Sequence, residues 1–231
     1  MKSLARSISS NQTGIHDDLL AHVAKYREHR FLRPVASHTQ LAFDQVITWL
    51  HNWHGEVIID ACCGVGESTI NIANNNKQAK VLGIDKSIAR LDKHNSYKHT
   101  NSEPNNYLLV QADLNDFWRL LHAFMQTESY HWRVTKQYIL YPNPYPKKSQ
   151  LTKRWHASPL FPYIIDICGN IEVRSNWEIY LQEFALAALQ YNLQGSVTEV
   201  ISPAITPFER KYSEAGQTCF KLAMRPAGSD K

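Results

Sequence analysis

The sequence has few of the features that mark extracellular, metal-binding or membrane proteins. Its 231 residues include only four cysteines, two of them adjacent at Cys62 and Cys63, and no C-x-x-C pair, so neither a zinc site nor a disulfide scaffold is indicated. No stretch reaches the roughly 18 apolar residues of a membrane-spanning helix, and the amino terminus has no apolar signal segment. These absences predict a soluble, cytoplasmic protein with neither a membrane nor a metal partner.

One stretch of the chain lacks negative charge altogether. Between Ser129 and Ile165 there is no Asp or Glu, whereas basic and aromatic residues are interleaved along it. The basic ones are Arg133, Lys136, Lys147, Lys148, Lys153 and Arg154, and the aromatic ones are Trp132, Tyr138, Tyr141, Tyr145, Trp155 and Tyr163. Positive charge attracts phosphates and aromatic rings stack on bases. The run from Lys147 to Arg154 therefore predicts an RNA contact, which the formal net charge of +4 permits, while Tyr138 and Tyr163 are predicted to lie in the core.

Seven short apolar segments predict strands, and helical patterns separate most of them. The predicted strands are 57–59, 80–84, 107–111, 134–141, 171–174, 196–201 and 218–224. The predicted helices run from 37 to near 55, then over 66–75, 86–98, 115–127, 160–168 and 177–189. Repeated β-α units imply a mostly parallel sheet with helices on both faces, which is an α/β Rossmann-like fold. The last two strands are expected to pair antiparallel, because no helical pattern lies between them.

The chain is predicted to divide into an arm and one domain. Residues 1–36 are polar and basic, with a helix expected around Asp17–Glu28, and residues 37–231 contain all the predicted β-α units. The sequence is compatible with a monomer or a homodimer.

Acidic residues end three successive strands of the predicted sheet. Asp60 begins the turn Asp60-Ala-Cys-Cys-Gly-Val-Gly66, in which Gly64 and Gly66 let a ligand approach the backbone at the start of a helix. Asp85 ends the second strand, where it can accept the hydroxyl groups of a ribose. Asp113 follows the third strand, where its carboxylate can accept from the amine of adenine or cap a helix. Ligands bind beyond the carboxyl ends of such strands, so a nucleotide-like cofactor is predicted.

Two cofactors fit a glycine turn followed by an acidic strand end, namely nicotinamide dinucleotide and S-adenosyl-L-methionine. The first requires a third glycine for close helix–strand packing, and Thr69 stands at that position. By contrast, D-x-x-x-G-x-G, G-I-D and A-D resemble motifs I, II and III of the class I S-adenosyl-L-methionine-dependent methyltransferases. Cys62 occupies the first glycine position of that motif I. It is tolerable there if its backbone angles are ordinary, so cofactor binding is expected.

The stretch L-Y-P-N-P-Y-P-K-K at 140–148 follows the fourth predicted strand. Its prolines forbid further ladder pairing and stiffen a loop that presents Asn143 and Tyr145. With T-K-R-W, I-E-V-R-S-N-W-E-I-Y and I-T-P-F-E-R further on, it resembles the bacterial tRNA (guanine-N7)-methyltransferases, which methylate a guanine in the variable loop of tRNA. The resemblance covers about residues 56–224 and places the loop beside the cofactor site.

The resemblance implies a role for each matching residue. Asp85 is expected to hold the ribose and Asp113 the adenine of S-adenosyl-L-methionine, beside the turn that contains Asp60, Cys62, Gly64 and Gly66. The residues expected to contact tRNA phosphates or the flipped base are Lys147, Lys148, Lys153 and Arg154. Thr206 and Glu209 are expected to line the pocket near the methionine end of the cofactor and the target base, and Tyr145 stands where the family has tryptophan.

Asn143 and Asn176 stand where the family has aspartate, and the resemblance places both at the reaction centre. Nitrogen 7 of guanine carries a free lone pair and no proton, so transfer requires positioning rather than a general base. An asparagine oxygen can still accept one hydrogen bond from guanine. Three functions stay open: a tRNA guanine-N7 methyltransferase, a methyltransferase of the same fold acting on an amino group of RNA or protein, and a non-catalytic RNA- or cofactor-binding relative. Asn143-Pro144 partly matches the N-P-P-Y motif of amino-group methyltransferases.

Overall fold

The structure is a computed structural model of the chain, in which residues 7–29, 31–97 and 104–228 are described. Seven strands lie within these ranges: β1 (Glu56–Ala61), β2 (Ala79–Asp85), β3 (Tyr107–Gln111), β4 (Arg133–Leu140), β5 (Ile171–Ser175), β6 (Leu193–Glu199) and β7 (Phe220–Pro226). The same ranges contain eight α-helices: α1 (Leu19–Glu28), α2 (Ser37–Leu50), α3 (Glu67–Asn75), α4 (Ile88–Leu91), α5 (Leu114–Thr127), α6 (Phe161–Ile167), α7 (Glu178–Leu189) and α8 (Pro207–Glu214).

The described strands form one sheet in the order β3-β2-β1-β4-β5-β7-β6. β2 pairs parallel with both β1 and β3, whereas β7 runs antiparallel to both β5 and β6. A mostly parallel sheet of seven strands with an antiparallel last strand confirms the predicted α/β Rossmann-like fold. The division into an arm of residues 1–36 and a domain of residues 37–231 stays a prediction.

Of the described residues, those from Arg33 to Tyr138 form one compact unit with Asp166–Cys168. β1 and β2 are buried along almost their whole length, as strands of a parallel sheet are when both faces are covered. α2 packs against α5 through Phe43, whose ring meets Phe117 edge-on at 5.5 Å between centroids. Asp60 and Asp85 lie at the carboxyl ends of β1 and β2, and Asp113 follows β3. These polar side chains are therefore the candidates for ligand contacts at this edge of the sheet.

The remaining described residues form a second compact unit. Its central helix, α7, packs on β5, β6 and β7 and buries Tyr180, Leu181 and Phe184 completely. α1 contacts α7 and contributes the buried side chains of Leu19 and Val23. The predicted helix around Asp17–Glu28 is therefore confirmed, with Leu19 as its first residue.

Two helical predictions were wrong in detail. The helix predicted from Lys86 to about Lys98 is broken into α4 and a 3-10 turn at His94–Tyr97, while Lys98 itself lies outside the described residues. The sequence pattern places Leu41 with Val46, Ile47, Leu50 and Trp53 on one apolar side of the first predicted helix, but Leu41 is 70% exposed. Burial on that helix follows Phe43, Val46 and Leu50 instead.

The segment between the last two strands was predicted to lack a helix, and this too was wrong. It contains α8, which begins after Thr206 with Pro207 in its first turn. The Thr206 hydroxyl accepts a hydrogen bond from the backbone N–H of Glu209 at 3.0 Å. T-P-x-E is a sequence signature of a helix start, since the hydroxyl satisfies a backbone donor that has no partner within the helix.

Candidate active site

Asp60, at the end of β1, ties that strand to the first turn of α3. It is fully buried, and its Oδ2 accepts from the hydroxyls of Ser68 at 2.6 Å and Thr69 at 2.7 Å. Burial raises the pKa of Asp60 to about 6 against the opposing effect of the two hydroxyls. Thr69, the residue that argued against a dinucleotide fingerprint, therefore holds the acidic residue of the turn in place.

Within this turn, Gly64 is hydrogen-bonded to Asp85 at the end of β2. The backbone N–H of Gly64 donates to Asp85 Oδ2 at 3.0 Å, and Ser87 N donates to Oδ1 at 2.8 Å. Apart from its two neighbours in the chain, nothing lies within 4 Å of the place where a Cβ on Gly64 would stand, so the backbone there is open to a ligand. Arg90 Nη1 also lies 3.4 Å from Oδ2, and a carboxylate has about four acceptor sites, so Asp85 retains acceptor capacity towards a ribose.

Gly66 is required by close packing. Its φ is +75°, and an added Cβ would lie 2.6 Å from both His94 Nδ1 and Leu109 Cδ1. The His94 ring hydrogen-bonds the carbonyl of Val65 at 2.9 Å and the hydroxyl of Tyr107 at 2.9 Å. His94, in the 3-10 turn His94–Tyr97, therefore ties the glycine turn to Tyr107 of β3, and no local sequence pattern marks it for that role.

Cys62 does not have the ordinary backbone angles that were expected of it. Its φ is +62°, in the left-handed region that a side chain makes unfavourable. Burial, followed by the charges of Asp85 and Asp60, raises the pKa of its thiol to about 12. The thiol is therefore neutral and a poor nucleophile. What Cys62 contributes to the turn is its backbone conformation.

Asp113 is the amino-terminal cap of α5. Its Oδ1 accepts from the backbone N–H of Asn115 at 2.9 Å, and its Oδ2 lies 3.2 Å from Nη2 of Arg33. Burial acts to raise the pKa of Asp113, but the hydrogen bonds from Asn115 and Arg33 outweigh it, so the pKa is lowered. Arg33 also pairs with the buried Asp116 at 2.8 Å. The helix-capping alternative for Asp113 is thus realised, and its expected contact with adenine stays a prediction.

In the second unit, the loop after β4 presents Asn143 to solvent. Asn143 Oδ1 accepts from the backbone N–H of Tyr145 at 3.3 Å, which closes a turn of the Asx type. Tyr145 has a φ of +45°, and the Lys153 ammonium lies 5.8 Å from the centre of its ring. Lys147, Lys148 and Lys153 are all exposed. The loop therefore combines an amide, an aromatic face and positive charge.

Arg154 was expected to contact tRNA, and the structure contradicts this expectation. Its side chain is fully buried and pairs with the equally buried Glu183. Its remaining donors bond the backbone carbonyls of Tyr145 and Lys147 and the side chain of Gln12. A guanidinium held in this way is not available to a phosphate, so Arg154 acts on the loop from beneath.

The residues expected near the target base take part in internal contacts. Thr206 caps α8, and Glu209 is buried and paired with Arg174, whose Nη1 lies 3.0 and 3.1 Å from its two carboxylate oxygens. Burial raises the pKa of Glu209 against the opposing charge of Arg174. Asn176 donates from Nδ2 to Gln217 Oε1 at 2.9 Å. Arg174 was not predicted as a site residue, although a charged side chain in a buried strand requires a partner.

Neither a metal cluster nor a membrane span is found in the part of the chain that the structure describes. No group of three or more His, Cys, Asp or Glu there could hold a metal ion. None of the helices in the same ranges is both long and apolar enough to cross a membrane.

Comparison with known proteins identifies the family. A family model described as "Putative methyltransferase" matches residues 54–222. A tRNA (guanine-N(7)-)-methyltransferase of Buchnera aphidicola subsp. Baizongia pistaciae (strain Bp) is 24% identical over an alignment of 181 residues that covers 73% of this chain and 71% of that protein.

Solved structures of methyltransferases share the fold at low sequence identity. A mutant of the 16S rRNA (adenine(1408)-N(1))-methyltransferase from Catenulisporales acidiphilia, with the cosubstrate SAM, aligns at a TM-score of 0.53 and 13% identity, covering 82% of this chain and 93% of that one. The 16S rRNA methyltransferase KamB aligns at 0.52 and 15%, covering 79% and 94%. An antibiotic-related methyltransferase aligns at 0.51 and 12%, covering 84% and 96%.

The cofactor predicted from the sequence agrees with these findings. The open backbone at Gly64 and the buried carboxylate of Asp85 fit the nucleoside part of S-adenosyl-L-methionine. The chain belongs to the methyltransferase family whose model covers residues 54–222, which confirms the resemblance carried by its motifs, and it uses S-adenosyl-L-methionine as its cofactor.

Proposed function

We propose that the protein methylates nitrogen 7 of a guanine in the variable loop of tRNA. The observation that carries the proposal is the loop after β4, which exposes the amide of Asn143 next to the ring of Tyr145 and three exposed lysines. A flat anionic substrate needs these three elements: a polar group to orient it, a ring to stack on and positive charge for its phosphates. The curated relative named above, a tRNA (guanine-N(7)-)-methyltransferase, supports the choice of substrate.

The first unit is proposed to hold the cofactor. Asp85 accepts from the ribose hydroxyls, Asp113 from the adenine amine, and the turn from Asp60 through Cys62, Gly64 and Gly66 faces the methionine part. S-adenosyl-L-methionine supplies an electrophilic methyl group on its sulfonium. The contribution of the protein is orientation and the exclusion of water, because neither the turn nor Asp85 needs to exchange a proton.

The second unit is proposed to hold the guanine and its tRNA. Asn143 Oδ1 keeps acceptor capacity beyond its bond with Tyr145 N–H and takes one donor from the edge of the base. Lys147, Lys148 and Lys153 neutralise phosphates. The proposed pocket for the target base also includes Asn176, Thr206 and Glu209, with Arg174 keeping Glu209 in one orientation.

A second candidate function is methylation of an amino group of RNA or protein. It is favoured by the amide at position 143, because an asparagine oxygen accepts from an amine without adding charge. Asn143→Asp separates the two candidates, since aspartate keeps the acceptor for Tyr145 N–H and changes chiefly the charge that the loop presents.

On the guanine-N7 proposal, Asn143→Asp preserves or raises the rate of methyl transfer to tRNA. A charge-assisted hydrogen bond is worth roughly 1 kcal/mol more than a neutral one, which corresponds to about a fivefold rise in kcat/KM. The measurement is incorporation of labelled methyl into tRNA, with the exposed Asn52→Asp as the matched control. A collapse of activity in Asn143→Asp alone would show that the amide is required and would favour the amino-group candidate.

A further inference from the structure

A buried ion pair lies beneath the loop Tyr145–Lys148. The side chains of Arg154 and Glu183 are both fully buried and in direct contact. Arg154 donates from Nε and Nη2 to the carbonyl of Tyr145 at 3.1 and 3.0 Å, and from Nη2 to that of Lys147 at 3.3 Å. Arg154 therefore holds the backbone of the loop, and Glu183 holds Arg154.

The segment Ser10–Gln12, which we call the strap, contacts the same loop. Ser10 Oγ donates to the carbonyl of Pro146 at 2.6 Å, and the side chain of Asn11 accepts from the backbone N–H of Lys148 at 3.2 Å. Gln12 is 4% exposed and donates to Glu183. Its amide oxygen accepts from Arg154 at 2.9 Å. The strap thus bonds the loop directly and also completes the network beneath it.

Few polar atoms of this network lack a hydrogen-bond partner. Substitution of any of its residues is therefore expected to be destabilising. The Glu183 carboxylate accepts from Arg154, from His156 Nε2 at 3.0 Å, from Gln12 and from the backbone N–H of His16 at 3.0 Å. A buried charge pair is tolerated only when its other donors and acceptors are satisfied. Loss of Gln12 would remove one donor from Glu183 and leave Nη2 of Arg154 with only the carbonyls of Tyr145 and Lys147 as acceptors.

We propose that the strap Ser10–Gln12 fixes the conformation in which the loop Tyr145–Lys148 receives RNA, with Arg154 and Glu183 as positioning residues. Tyr145 has a φ of +45°, an angle that a residue with a side chain adopts only when its surroundings impose it. The strap and Arg154 supply those surroundings. The proposal rests on the proposed function, because it takes this loop as the place where RNA binds.

The first test measures the loop without any activity. Trypsin cleaves after exposed lysines in mobile backbone, so the rate of cleavage after Lys147 and Lys148 reports how often the loop opens. We expect cleavage there to rise about tenfold in Gln12→Ala, on the order of the loss of one buried hydrogen bond to a charged group. Cleavage after Lys77, in the first unit, should not change and serves as the internal reference.

Variants of Ser10 and a matched glutamine keep this test decisive. Ser10→Ala should raise loop cleavage, and Ser10→Thr should restore the wild-type rate because it keeps the hydroxyl. Gln190→Ala, at an exposed position, should behave as the wild type. Unchanged loop cleavage in Gln12→Ala would overturn the proposal that the strap holds the loop. An equal increase in the rate of cleavage after Lys77 would overturn it as well.

The second test measures RNA use. In Gln12→Ala we expect the KM for tRNA to rise about tenfold, whereas the Kd for S-adenosyl-L-methionine stays at the wild-type value. Increased loop cleavage with an unchanged KM would overturn the part of the proposal that assigns RNA binding to the loop. If the wild-type protein methylates no tRNA, the proposed function fails, while the cleavage experiment still decides whether the strap holds the loop.

Discussion

The left-handed backbone of Cys62 gives a prediction that can be worked through in numbers. Its φ of +62° lies where a Cβ costs about 1–2 kcal/mol relative to glycine. Cys62→Gly removes that cost but increases the conformational entropy lost on folding, which offsets about 0.5–1 kcal/mol. The expected net change is a rise in the free energy of unfolding of roughly 0.5–1 kcal/mol. No charge is lost with the thiol, because burial raises its pKa to about 12.

The assay is thermal unfolding followed by circular dichroism. For a protein of this size, 1 kcal/mol shifts the Tm by about 2–4 °C, so Cys62→Gly should raise the Tm by about 1–4 °C. Cys62→Ala is the matched control, because it removes the thiol and keeps the Cβ, and we expect no rise from it. A lower Tm for Cys62→Gly, or an equal rise in both variants, would refute the assignment of strain to the backbone of this turn.

Three further predictions concern buried or partly buried charges. Glu183→Ala should lower the free energy of unfolding by about 3–5 kcal/mol in urea, since it leaves buried Arg154 unpaired; a loss below about 1 kcal/mol would contradict the ion pair. The pKa of Glu183 is lowered to about 2 from an ordinary 4.5, with the hydrogen bonds from His156 and Arg154 outweighing burial, so its stabilisation is fully present above pH 4.5 and is lost as the pH falls towards 2. The difference in the free energy of unfolding between the wild type and Glu183→Gln should shrink as the pH falls from 4.5 towards 2. A difference that stays constant would contradict the lowered pKa of Glu183. Arg33→Ala should raise the pKa of Asp113, because it removes one of the hydrogen bonds that lower it; an unchanged pKa of Asp113 in an NMR titration would contradict the pairing.

The arrangement of the first unit could be predicted because its signals are local. Apolar runs predict β1, β2 and β3, and the acidic residues that end them could be read directly from the sequence. Helix α8 was missed even though its start is also local, since the threonine–proline signature at Thr206 was interpreted as part of a pocket. The left-handed backbone angle at Cys62 is implied by the glycine that the family has at this position. Because this chain has cysteine there, its own sequence does not predict that angle.

The buried network of the second unit could not be predicted in the same way. Arg154 lies in a run of basic residues that is typical of a solvated, phosphate-binding surface. Its burial depends on Glu183, 29 positions away, and on Gln12, 142 positions away. Pairing between residues so distant along the chain is decided by tertiary packing, which the local pattern does not contain. The same holds for the partnership of Arg174 with Glu209, 35 positions apart.

The central claim is the transfer of a methyl group to nitrogen 7 of guanine in tRNA. It is tested most directly by incubating the protein with labelled S-adenosyl-L-methionine and bulk tRNA, followed by digestion and nucleoside analysis. The account predicts that the label appears in 7-methylguanosine. Label in any other nucleoside, or no transfer to any RNA by the folded, cofactor-binding protein, would contradict it.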